Sequence, residues 1–188
     1  MRRRGNPWGI MGRTWWHDWT KIGLLLGLTL GGCGSPGRFL SSGVEGSGLS
    51  LNSPYNETDA QVVGRYVVFS SDRSGSQDIY LWDILDRRLV PLPNLNRLDT
   101  LAKEPSISED GRYIAFWADR PDRQGVYVYD RNSQQQRLIT GNIRNQIRHP
   151  RLSADGRYVT FEVNSRGQWD VAVYTREGQP LPLATNPQ

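Results

Sequence analysis

The chain has 188 residues, 37% hydrophobic and 22% charged, enough for one domain with a sizeable core. Its single cysteine excludes an internal disulfide. The formal net charge of +4 sits wholly in residues 1–32, where Arg2, Arg3, Arg4, Arg13 and Lys21 face Asp18 alone; the remaining 18 basic and 18 acidic residues balance, which argues against nucleic acid as a partner.

Residues 1–32 read as an export leader. A basic stretch precedes the nine-residue apolar run Ile22–Leu30, the length of a signal-peptide core and too short to span a bilayer. The run ends in Leu30-Gly31-Gly32-Cys33, which resembles the bacterial lipobox. That resemblance implies lipidation at Cys33 and a lipid-anchored protein on the periplasmic side of a bacterial cell envelope. Gly34 rather than Asp follows the cysteine, which favours the outer membrane. Residues 33–58 are then expected to be a flexible tether. Their Gly/Ser-rich start cannot bury enough apolar surface to order itself. About 25 such residues reach roughly 25–30 Å. Leu49-Ser50-Leu51 offers an alternative, an extra strand docked on the domain behind it.

Residues 59–186 carry a repeat. Arg65-Tyr66-Val67-Val68-Phe69, Arg112-Tyr113-Ile114-Ala115-Phe116 and Arg157-Tyr158-Val159-Thr160-Phe161 recur at spacings of 47 and 45. A second set follows in register: Ile79-Tyr80-Leu81-Trp82, Val126-Tyr127-Val128-Tyr129 and Val171-Ala172-Val173-Tyr174. The runs are short, β-branched and aromatic, and Gly, Pro and Asp cut between them, so helical repeats are excluded. Asp110-Gly111 and Asp155-Gly156 between apolar runs predict hairpins. A period near 45 with four strands per unit is the signature of propeller blades. The expected architecture is all-β: three four-stranded antiparallel propeller-type blades at about 59–93, 104–140 and 149–185. Tyr113-Ile114-Ala115-Phe116-Trp117 is apolar without alternation, so both faces of that strand must be covered.

Ser108-Glu109-Asp110-Gly111-Arg112-Tyr113-Ile114-Ala115-Phe116 and Ser153-Ala154-Asp155-Gly156-Arg157-Tyr158-Val159-Thr160-Phe161 resemble the core of TolB-type propeller repeats. The first copy departs: Gln61-Val62-Val63-Gly64 lacks the Ser and the Asp, so its first strand is undefined by the motif. The resemblance implies a fold and, by analogy, protein interaction in the cell envelope beside a Tol-type envelope or transport system.

Catalytic groups are sparse. His149 is the only histidine beyond the leader and is expected at a packed or rim position. No Gly-x-Ser-x-Gly elbow, phosphate loop or Cys/His cluster occurs, so no cofactor or metal is expected. Asp72, Asp78, Asp110, Asp119, Asp155 and Asp170 recur with the repeat and read first as turn and cap residues. In a meander blade, the loops joining strands 2 and 3 share an end with the inter-blade connections. Arg73, Arg120, Arg123 and Arg166 fall there and are the candidate partner-binding residues, suited to the carboxylates of an acidic envelope protein. The leading expectation is a non-catalytic protein-binding module. The alternative is a propeller hydrolase or lyase acting on a glycan or small lactone, with carboxylates from different blades converging in one pocket. Propellers close with about 4–8 blades. Three blades leave two end faces, so self-association or docking to another propeller is expected.

Overall fold

The structure, a computed structural model, describes residues 50–182; the leader, Cys33 and the chain up to Leu49 lie outside the described residues. Among the described residues there are strands and no helix. The first sheet holds β1 (Glu57–Val63), β2 (Tyr66–Ser71), β3 (Asp78–Asp83) and β4 (Arg88–Val90). The second holds β5 (Leu101–Ile107), β6 (Tyr113–Asp119), β7 (Gly125–Asp130) and β8 (Gln135–Leu138). The third holds β9 (Ile147–Leu152), β10 (Tyr158–Ser165) and β11 (Gln168–Thr175). Each sheet is an antiparallel meander, and they are called blades 1, 2 and 3.

Blade 3 departs from the expected four strands. Its outer edge is a single bridge between Tyr174 and Pro180. Thr175 N–H donates to Gln179 O and Leu181 N–H to Val173 O, both at 2.8 Å.

Strand β6 explains the stacking. Ile114, Phe116 and Ala118 point into one core with Val68, Ile79 and Leu81 of blade 1. Tyr113 and Ala115 point into a second core with Val159, Phe161 and Tyr174 of blade 3. The strand is apolar at successive positions because it is covered on both sides.

The Ser-x-Asp-Gly motif is a turn clamp. Ser108 Oγ donates to Asp110 Oδ1 at 2.6 Å and accepts from Tyr113 N–H at 2.9 Å, and Asp110 accepts from Arg112 N–H at 2.9 Å. Ser153, Asp155, Arg157 and Tyr158 repeat the pattern at 2.6, 3.0 and 2.9 Å. Gly111 and Gly156 take φ of 70° and 68°, as the turn requires. Burial alone would raise the Asp110 carboxyl, but the Ser108 and Arg112 N–H bonds outweigh it and hold it below its ordinary value. Blade 1 manages without the motif. Its first hairpin is two residues shorter, since Val62 pairs with Val67 where blade 2 pairs Ile107 with Ile114, and it turns at Gly64-Arg65 between the paired Val63 and Tyr66. Positive φ at Gly64 alone matches a type II′ turn.

The leading strands are longer than the motif suggested. Strand β5 starts at Leu101, before the expected blade start at about 104, and β1 starts at Glu57, inside the expected tether. Each leading strand holds one non-glycine residue at positive φ: Asp59 (54°), Glu104 (55°) and His149 (52°). Register shifts at these points mark β-bulges. The bulged residues tie successive blades together. Asp59 Oδ2 accepts from Glu104 N–H at 3.3 Å, and Glu104 Oε2 accepts from His149 N–H at 2.5 Å. A second rung runs parallel: Gln61 Oε1 accepts from Ile107 N–H at 3.1 Å, and Ser106 Oγ accepts from Leu152 N–H at 2.9 Å.

Candidate partner-binding surface

The four arginines expected to form a binding surface fall into two groups. Arg73 turns inward, and its side chain is only 4% exposed. It donates to Glu57 Oε1 at 2.7 Å and to the carbonyls of Ser50 and Leu51 at 2.8 and 2.9 Å. Its guanidinium also lies over the Phe69 and Tyr80 rings, at 5.2 and 4.8 Å. Leu51 thus meets blade 1 through Arg73 and not as an added strand. Arg120 is half-buried, with its guanidinium 3.9 Å from the Tyr127 ring centre and a hydrogen bond to Gln136. Arg73 thus covers the Phe69–Tyr80 pair, and Arg120 covers Tyr127, the ring stacked on Phe116. They are therefore removed from the surface set.

Arg166 faces outward, and Arg123, though half-buried, borders an open cleft. Arg166 is exposed on the tight turn Arg166-Gly167, where φ is 56° and 89°, between the paired Ser165 and Gln168. Arg123 lines a cleft of about 250 Å³ with Trp117, Asp122, Arg144 and Ile147. The β6–β7 loop supplies one wall and the connection into blade 3 the other, so these loops do share an end of the blades. Arg144 joins the site from the structure. Its sequence context, Asn142-Ile143-Arg144-Asn145, carries no motif, and only the fold brings it opposite Arg123. Neither arginine is in an ion pair among the described residues, whereas Arg97 is bound by Asp99 at 3.1 Å and Arg148 by Glu162 at 2.7 Å. Lys103 extends over the Trp117 ring at 4.8 Å. The cleft is cationic with an aromatic wall, a chemistry suited to carboxylates.

The recurring carboxylates are spread out. Asp110 and Asp155 serve the turns described above. Asp72 accepts from the Asn56 N–H at 2.9 Å and from its amide nitrogen at 2.8 Å, bonds that hold the Asp72 carboxyl below its ordinary value. Asp170 accepts from Gln168 at 2.9 Å, Asp119 is exposed, and Asp78 is buried at the start of β3. His149 is exposed on the rim, its Nδ1 3.4 Å from Glu162 Oε1. Bonds from Arg148 and then His149 hold the Glu162 carboxyl down. Among the described residues no three His, Cys, Asp or Glu side chains are grouped to hold a metal ion.

No family model and no curated protein matches the chain. Among solved structures it is similar to TolB from Acinetobacter baumannii, with a TM-score of 0.55 and 21% identity over 64% of this chain and 30% of that one. It is also similar to the β-propeller domain of the trilobed protease from Pyrococcus furiosus, with a TM-score of 0.50 and 16% identity over 68% of this chain and 42% of that one. The chain spans less than half the length of either. At these identities the likeness concerns the fold and not the activity. With the repeated hairpins and the blade-on-blade packing, it gives one conclusion: the chain has a TolB-like β-propeller fold, built as three consecutive blades.

Proposed function

We propose that the chain is a non-catalytic binding module of the bacterial cell envelope, tethered by a lipid on Cys33, whose loop end captures an acidic segment of another envelope protein. Working beside a Tol-type envelope or transport system fits this reading. The observation that carries it is the cleft between blades 2 and 3. There Arg123 and Arg144 stand in one space beside Trp117, neither neutralised by an ion pair among the described residues. In support of it, three of the carboxylates that a glycan hydrolase or lyase would use, Asp110, Asp155 and Asp170, are engaged in turns and local bonds away from this cleft.

Affinity capture from intact envelopes with the tagged, lipidated chain tests the reading. The pair Arg123→Glu and Arg144→Glu should abolish capture of the partner, chiefly by slowing association, and leave the melting temperature unchanged. Undiminished capture at physiological salt by the folded double variant would refute the loop-end site.

A further inference from the structure

The two internal blade interfaces share one device, and blade 3 carries its third copy exposed among the described residues. Tyr66 of blade 1 lies in the notch over Gly111 of blade 2, where an added Cβ would come within 2.4 Å of the ring. Arg131, which follows β7, caps that ring at 5.0 Å and donates to Gly111 O at 2.6 Å. Tyr113 of blade 2 lies over Gly156 of blade 3 in the same way, with 2.7 Å left for a Cβ. Arg176, which follows β11, caps Tyr113 at 4.3 Å. The next tyrosine in the series is Tyr158, and it is 42% exposed where Tyr113 is 8% exposed. Around it, Val171 is 60% exposed, whereas its counterpart Val126 in blade 2 is fully buried. Trp169 at the far end of the same face is 36% exposed, under the Arg148 guanidinium at 3.8 Å.

We propose that this free face of blade 3 docks a propeller-type blade of another chain. That blade would carry an Asp-Gly-Arg hairpin whose glycine receives Tyr158, and an arginine after its third strand to cap the ring. The inner edge adds a second requirement. The residues that accept hydrogen bonds from the next blade are Gln61 in blade 1 and Ser106 in blade 2, but the corresponding residue in blade 3 is Arg151, which has no acceptor. The incoming blade must therefore present a carboxylate or amide oxygen opposite Arg151.

A second copy of this chain meets these requirements poorly. Its blade 1 has the shortened Gly64-Arg65 turn in place of the Ser-x-Asp-Gly hairpin. Ile84 stands where Arg131 and Arg176 follow their strands. The face itself is occupied: Phe69 is 1% exposed beneath Arg73, which is bonded to Ser50 and Leu51. The occupant is thus a blade of the motif-bearing kind from a different propeller chain.

The test places a photoreactive benzoylphenylalanine at position 158, and separately at 171, in the full lipidated chain inside its own cells. Adducts are mapped to the residue by mass spectrometry. The expected result is one partner labelled from both positions, with the label from 158 on the Asp-Gly-Arg hairpin of a propeller repeat. Arg151→Glu should weaken that labelling about tenfold, the loss for one reversed interfacial charge. Labelling of a second copy, of a partner with another fold or of lipid, or no labelling from either position, would overturn the proposal.

Discussion

The tyrosine-in-notch contact can be measured by itself. Gly111→Ala places a Cβ 2.4 and 2.6 Å from two ring carbons of Tyr66 and 3.2 Å from the Arg131 guanidinium. Two costs follow. A side chain at φ of 70° costs roughly 1–2 kcal/mol in backbone strain. Forcing a packed ring out of its place adds about 1–3 kcal/mol. Gly167→Ala provides the reference: φ is 89° there and no atom lies within 4 Å of the new Cβ, so only the backbone strain applies. In urea unfolding, Gly111→Ala should therefore lose about 1–3 kcal/mol more than Gly167→Ala. Tyr66→Ala empties the notch. Combined with Gly111→Ala it should lose less than the sum of the single changes, with a coupling of about 1–3 kcal/mol. Additivity within about 0.5 kcal/mol, or equal losses at Gly111 and Gly167, would show that the ring yields without cost and that the notch does not hold the blades together.

Three further outcomes follow. Ser108→Ala leaves the buried Tyr113 N–H without its acceptor and should cost about 1–3 kcal/mol by chemical denaturation, whereas Ser153→Ala, in the more exposed copy of the same turn, should cost less. Asp78 is buried with Oδ1 unpartnered, and burial raises its carboxyl above the ordinary value, so the folded chain holds this proton more tightly than the unfolded chain does. Its contribution is therefore most favourable at low pH and is lost as pH rises through the raised value. Asp78→Asn should stabilise the protein at neutral pH, with a difference that disappears below the ordinary carboxylate range; a destabilised variant at pH 7 would contradict this. Cys33→Ala should leave an unprocessed precursor that takes up no labelled fatty acid, while an unlabelled wild-type chain would exclude the lipid anchor.

The strands were legible because the blade writes its period into local residue choice. Tyr113–Trp117 announces two covered faces, and Asp110-Gly111 announces a turn. Features that depend on neighbours were not legible. The bulges at Asp59, Glu104 and His149 put non-glycine residues at positive φ in the middle of a strand, which no local motif marks, and the expected start of blade 2 at about 104 therefore fell inside β5. Arg73 and Arg123 look alike in sequence, since both lie in loops after a second strand. One covers an aromatic pair and the other borders a cleft, and only the packing of residues 50–57 and the connection into blade 3 separates them. Arg144 could have been found only by asking which residue the next connection lays opposite Arg123.

The repeat position of the internal arginine also explains why the ends of the blade series differ. Arg73 and Arg120 lie 47 residues apart and do the same work, each over the tyrosine of its own blade's aromatic pair. In blade 2 that pair packs against blade 1, so Arg120 seals the edge of an interior contact. In blade 1 the same arginine reaches back to the chain at Ser50 and Leu51 and holds it beside the pair. Blade 3 loses both elements: Ser165 stands at the arginine position and Ala172 replaces the second aromatic ring. Its face toward blade 2 is filled instead by Phe161 tilted against Tyr174, at 5.1 Å. Its opposite face keeps the tyrosine and the valine that internal interfaces use, and both are exposed among the described residues. The first blade is thus finished by a local segment and the last is left in the state of an internal blade. That asymmetry makes the face of blade 3, rather than that of blade 1, the end at which a further blade can be added.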